Sequence, residues 1–182
     1  MKKLLFIPAL LTIAILFTAC GGDKKPGDLP GEIKTSAEKT FPELVSPADV
    51  PQSREIEFKL ADFPGVSQYN KWLVGADVPV SSSTFIELKG IGDEEGIELK
   101  DVSISLASTP ARQFPFAPSN TLTENEKFAA DRINRVEFFQ AVIDEVRIKG
   151  SSKIVLKYTS SSLLVNPDIK ITMKIDAEFF FN

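Results

Sequence analysis

The chain has 182 residues, 21 Lys+Arg against 25 Asp+Glu, a formal net charge of −4, a single Cys and no His. The acidic balance argues against a nucleic-acid partner, which needs a basic surface. The lack of His removes Ser-His-Asp and Cys-His catalysis, HExxH zinc sites and most imidazole-based metal centres. No Gly-rich phosphate loop and no Gly-x-Ser-x-Gly elbow occurs, so neither a cofactor nor a metal is expected. Phe, with 14 copies against 2 Tyr and 1 Trp, dominates the aromatics, which reads as core filling.

Lys2 and Lys3 precede an apolar run from Leu4 to Ala19, and small residues at Thr18 and Ala19 lead into Cys20. This is the layout of a secretory signal, and the run is short of the roughly 20 residues a spanning helix needs. Phe17-Thr18-Ala19-Cys20 resembles the lipobox of bacterial lipoproteins, departing from its usual pattern at Phe17, where Leu is commonest. The resemblance covers the N-terminus only. It implies a signal peptide over 1–19, removed by cleavage, and Cys20 carrying diacylglycerol and usually an N-acyl chain, a firm membrane anchor. It would also account for a lone thiol in an exported protein, where structural Cys is normally paired. Gly21 after that Cys, in place of Asp, goes with outer-membrane sorting in some lipoproteins.

Residues 20–52 read as a tether. Pro26, Pro30, Pro42, Pro47 and Pro51 together with Gly21, Gly22, Gly27 and Gly31 rule out a helix or a central strand. As a flexible coil it would reach on the order of 30 Å. Phe41, Leu44 and Val45 are apolar enough for its second half to lie on the domain.

The expected folded domain is 53–182. Residues 54–60 alternate Ile56, Phe58 and Leu60 with charges, a half-buried strand. A second strand covers 84–89 and ends at Gly90. Residues 97–100 alternate, and 102–106 resume one residue out of register, which predicts a β-bulge at Lys100-Asp101. Thr123-Glu124-Asn125-Glu126 fits a capping box, and Phe128, Ile133, Val136, Phe139, Ile143 and Val146 fall near one helical stripe. These favour a helix over 124–146, with Asn134 as its weak point. The competing strand reading of 135–148 would bury Gln140 and Asp144. Two strands follow, 153–159 and 169–181. The last alternates Ile169, Ile171, Met173, Ile175, Ala177, Phe179 and Phe181 with polar residues, broken only by Phe180. The expected fold is mostly β, an antiparallel β-sandwich, immunoglobulin-like or similar, with one helical insertion.

Few residues invite chemistry. Tyr69, Asn70 and Trp72 place two aromatics beside amide and ammonium groups, a pattern that suits sugar rings but equally anchors a loop. Asp93, Glu94 and Glu95 could hold a cation, but their spacing is that of a charged turn. Asp131, Glu137, Asp144 and Glu145 offer paired carboxylates for glycoside hydrolysis, and a polar helix face explains them as well. The Ser runs at 81–83 and 160–162 read as solvated edges, and Gln113-Phe114-Pro115-Phe116-Ala117-Pro118 as an apolar loop over one end of the core. The expectation is a lipid-anchored envelope protein, its membrane contact made through Cys20, with a non-catalytic binding or structural domain whose partner is an envelope protein or a glycan. The runner-up is a glycan-binding lipoprotein beside an uptake system, and the distant third a carboxylate-dependent hydrolase. A structural partner would require an open sheet edge or an exposed Phe patch.

Overall fold

The longest alternating run in the sequence becomes the centre of the structure. In the computed structural model, which describes residues 28–91, 96–116 and 120–182, eight strands form in chain order. They are β1 (Glu32–Thr40), β2 (Gln52–Lys59), β3 (Leu73–Asp77), β4 (Ser81–Lys89), β5 (Leu99–Leu106), β6 (Glu126–Ala130), β7 (Ser151–Ser160) and β8 (Lys170–Phe181). One α-helix, α1 (Ile133–Lys149), lies between β6 and β7. The expectations for Cys20 and for residues 93–95 fall outside the described residues.

All strand pairing between named strands is antiparallel. The larger sheet runs β1-β8-β4-β6, with β3 also on β8, and the smaller runs β2-β7-β5. β8 carries β1 along its whole length on one side. On the other side β4 takes its first half and β3 its last. Its inward residues Ile171, Met173, Ile175, Ala177 and Phe179 are all buried, and Phe181 closes the row. Phe180, the residue off the pattern, lies on the outer face against Gly75 of β3, where a Cβ would come within 3.4 Å of its ring. The missing side chain leaves room for that aromatic cover.

The sheets meet face to face around Phe63, in the connection from β2 to β3. Its ring lies 6.4 Å from that of Phe58 on β2 and 5.2 Å from that of Phe179 on β8, and it has no exposed surface. Burying one such side chain contributes about 1.5–3 kcal/mol. The result is a mostly β molecule of two antiparallel sheets and one helix, a β-sandwich in kind. Among the described residues no helix is long and apolar enough to cross a membrane.

The β-bulge is where the sequence places it. The β5–β7 register shifts between Lys100 and Ser103, and Asp101 has φ 52°, a left-handed conformation that Asp tolerates better than most side chains. Gly90, with φ +84°, ends β4 because a Cβ there would sit 2.5 Å from the Asp168 carbonyl oxygen.

Two expectations need correction. The folded body starts at residue 32, not 53: β1 lies inside the segment read as a tether, between Pro30 and Pro42, and pairs with β8 from Glu32 to Thr40. It is an edge strand whose inward residues Ile33, Thr35, Ala37 and Lys39 include only one fully buried side chain, Ala37, so its hydrophobic alternation is faint. The helix, in turn, is 133–149 rather than 124–146. Residues 126–130 are a strand that pairs with the otherwise open side of β4, with Phe128 opposite Ile86. The capping-box pattern at 123–126 caps nothing; the helix starts after Arg132, whose side chain makes no capping bond. Demand for a partner along β4 overrides local propensity. α1 ends on Gly150 (φ 83°), whose N–H donates to the Val146 carbonyl, the usual left-handed helix stop.

Candidate functional site

Tyr69, Asn70 and Trp72 lie in a 3-10 turn over Ser67–Trp72, at the end of β8. The Tyr69 ring meets Phe181 edge-on at 5.6 Å, and the Trp72 carbonyl accepts the Asn182 N–H at 3.0 Å. Both rings are half-buried against the core, and the Lys71 ammonium lies 4.2 Å from the Trp72 ring centroid. Asn70 is exposed. The rings anchor this turn to the last strand, and one face of Trp72 is already covered by a cation.

Of the carboxylates of α1 and its approach, Glu145, Asp131 and Asp144 are engaged with neighbours, whereas Glu137 is exposed. Glu145 accepts from Ser108 and, at 2.7 Å each, from Ser152 and Lys149. Burial pushes its pKa up, but those bonds and the Lys149 charge outweigh it and hold the carboxyl below the ordinary range. Asp131 pairs with Arg135 at 3.3 Å, and Asp144 accepts from Gln140 at 3.3 Å. Gln140 also extends β3: its Oε1 accepts the Val78 N–H and its Nε2 donates to the Ala76 carbonyl, both at 2.8 Å. A side-chain amide thus stands in for the next strand, which is how the helix accommodates a half-buried Gln in this stretch.

On the outer face of the larger sheet, a groove of about 510 Å³ lies between β1 and the start of β4. In it the Ser83 hydroxyl donates to Asp176 Oδ2, Ser81 and Ser83 share a 2.6 Å hydrogen bond, and Lys174 Nζ stands 3.5 Å from Asp176 Oδ1. The Thr84 hydroxyl accepts the Asp176 N–H at 2.9 Å. The Ser83 hydroxyl is thus engaged with a carboxylate and with Ser81. The cluster pins the irregular stretch between Ser81 and Phe85 onto β8. Among the described residues no group of three or more Asp, Glu or Cys side chains is placed to hold a metal.

Phe114 inserts into a cluster with Phe116, Phe128, Phe138 and Phe139, at centroid distances of 5.0 to 6.2 Å. The described part of the 113–118 loop therefore covers the core end, as expected for an apolar loop.

The feature that the sequence reading missed is the outer edge of β1. Phe41 N–H donates to the Ile171 carbonyl and Phe181 N–H to that of Gly31, so in this register the odd-numbered residues of β1 bond β8. Glu32, Lys34, Ser36, Glu38 and Thr40 consequently direct their N–H and C=O groups away from the sheet. Among the described residues no strand pairs with that side, and only the Glu32 N–H has a backbone partner there, the Pro30 carbonyl at 2.8 Å. The strand runs nine residues without Pro or bulge, and from Lys34 to Thr40 its outward backbone groups have no backbone partner among the described residues. The opposite edge strand, β6, has five residues and runs almost directly into α1, whose Arg135 donates to the Ala129 carbonyl at 3.2 Å.

The architecture is thus that of a two-sheet sandwich in which, among the described residues, the nine-residue β1 has no strand on its outer side; the eight-residue β2, at an edge of the smaller sheet, likewise has none. Comparison with protein-family models, curated proteins and solved structures found no match to this chain.

Proposed function

We propose that the chain is a lipid-anchored cell-envelope protein, sorted to the outer membrane, whose sandwich is a non-catalytic interaction module. The observation that carries the reading is the free ladder on β1, since an extended partner segment can add to such an edge through main-chain hydrogen bonds. Its position supports the idea: β1 is the first strand among the described residues, close in sequence to Cys20, so a lipid on that Cys would set the edge at the tethered end of the chain. Elsewhere Glu145, Asp131, Asp144 and Ser83 are engaged in internal bonds.

Two experiments test the reading. Radiolabelled palmitate should enter the protein in cells and be lost in Cys20→Ala; label that persists contradicts the anchor. A photo-crosslinking side chain at Glu38 should give discrete adducts in intact cells, and Ser36→Pro, which removes an outward donor, should abolish them. Adducts indifferent to the Pro, or none at all, contradict the interaction edge.

A further inference from the structure

The outward residues of β1 are not a random polar row. In order they are Glu32, Lys34, Ser36, Glu38 and Thr40. If a second β1 approaches antiparallel about a two-fold axis at Ser36, Lys34 faces the partner's Glu38 and Glu38 faces the partner's Lys34. Ser36 then meets its own copy, and Glu32 faces the partner's Thr40. The Lys34–Glu38 and Ser36–Ser36 pairs can therefore each exchange two backbone hydrogen bonds, while Glu32, whose N–H is given to the Pro30 carbonyl, keeps its C=O to accept from the partner's Thr40. We propose that the partner of this edge is a second copy of the chain, paired through β1 into one continuous sheet. This deepens the interaction-module reading above and rests on it.

The charges extend beyond the two edge strands. Within one chain Lys34 lies opposite Glu178 on β8 and binds it at 2.8 Å, while Glu38 lies opposite Lys174. Self-pairing about Ser36 therefore builds two rows of alternating sign across four strands: Glu178, Lys34, the partner's Glu38 and the partner's Lys174, with the mirror row on the other side of the axis. Glu38 makes no ion pair among the described residues, whereas Lys34 has both Glu178 and Glu32. The partner's Lys34 supplies the missing cation.

Register follows from the same residues. Sliding the partner by two residues one way sets Glu32 against the partner's Glu38. A further slide centres the pair on Lys34 against Lys34. Sliding the other way leaves Lys34 against the partner's Thr40, and then Glu38 against Glu38. Only the register centred on Ser36 uses the whole strand without like charges opposed, and directly opposed like charges are unfavourable in a sheet. Charged edges usually keep strands apart. Here the order of signs rejects most strands and accepts its own antiparallel copy. A one-strand seam is small, so the dimer should be weak in solution and favoured where tethering raises the local concentration.

The test uses the full chain in a non-ionic detergent, followed by sedimentation across a concentration series, with melting curves to show that each variant is folded. The wild type should form a dimer at high micromolar concentration. Lys34→Glu and Glu38→Lys each oppose two like-charge pairs and should each weaken the dimer by about tenfold or more. Mixing the two variants should restore it, because the heterodimer recovers both opposite-charge pairs. Ser36→Pro should be monomeric while remaining folded. A wild type that stays monomeric, a mixture that fails to recover, or a Ser36→Pro variant that still dimerises overturns the proposal. A monomeric wild type with persistent, Ser36→Pro-sensitive adducts in cells would overturn self-pairing alone and leave the interaction edge standing with another partner.

Discussion

The two ends of the larger sheet are finished in opposite ways. At the β6 end the strand is short, α1 follows after two residues, and the Phe114 cluster and the Arg135 guanidinium close over it. Arg135 is itself buried, with its guanidinium 5.5 Å from the Phe128 ring centroid. At the β1 end the strand is nine residues long, its outward face is polar throughout, and its outer ladder has no partner among the described residues. One edge is part of the core; the other is held to the molecule by β8 and by contacts on its inner face, such as the 2.8 Å ion pair of Lys39 with Asp62. On the proposed reading, stability and interaction are assigned to different ends of one sheet.

That division predicts unequal responses to mutation. The largest should come at the closed end, where Phe128→Ala removes a ring packed against Phe114 and Phe116. It should cost about 3–5 kcal/mol in chemical denaturation, and a cost under about 1 kcal/mol would show the cluster to be loosely packed. A smaller effect should appear on acidification. Because the folded-state pKa of Glu145 is depressed, its network stabilises the fold above about pH 4.5, the ordinary glutamate value, and that stabilisation is lost as pH falls further. Glu145→Gln should therefore flatten the acid limb of a stability–pH curve; an unchanged limb would remove Glu145 from the account. The smallest should be Ser36→Pro, at about 1 kcal/mol or less in the isolated chain, because the lost N–H points outward and edge strands accept Pro. A collapse of the fold on that substitution would mean the β1 edge is structural after all.

How much of this was legible in the sequence depended on burial. β8 and β2 each bury one face, and their period of two reads directly as strand. The bulge at Asp101 was visible because a one-residue slip moves every side chain to the other face. β1, β3 and β6 were not legible for the converse reason. β1 has a polar outer face and a weak inner one, β3 carries Gly75 in five residues, and β6 presents the alanines 129 and 130, which locally favour a helix. Only the long-range pairing with β8 and β4 makes strands of them. The candidate edge was hidden in the same way. Its one local sign is a Pro-free run between Pro30 and Pro42 with charges on alternate residues, which looks like a tether until β8 is set beside it. Tyr69 and Trp72 stood out because of their residue types, yet their rings are occupied with Phe181 and Lys71.

The central claim is that the outer ladder of β1 is free in the isolated chain and taken up by a partner. Residue-resolved amide hydrogen exchange over 32–40 tests it most directly. In dilute monomer, protection should alternate: the amides of Thr35, Ala37 and Lys39 slow, those of Lys34, Ser36 and Glu38 fast. On assembly the fast set should become protected while the slow set stays so. Uniform protection in the monomer, or fast exchange at Ser36 in the assembled protein, would contradict the account.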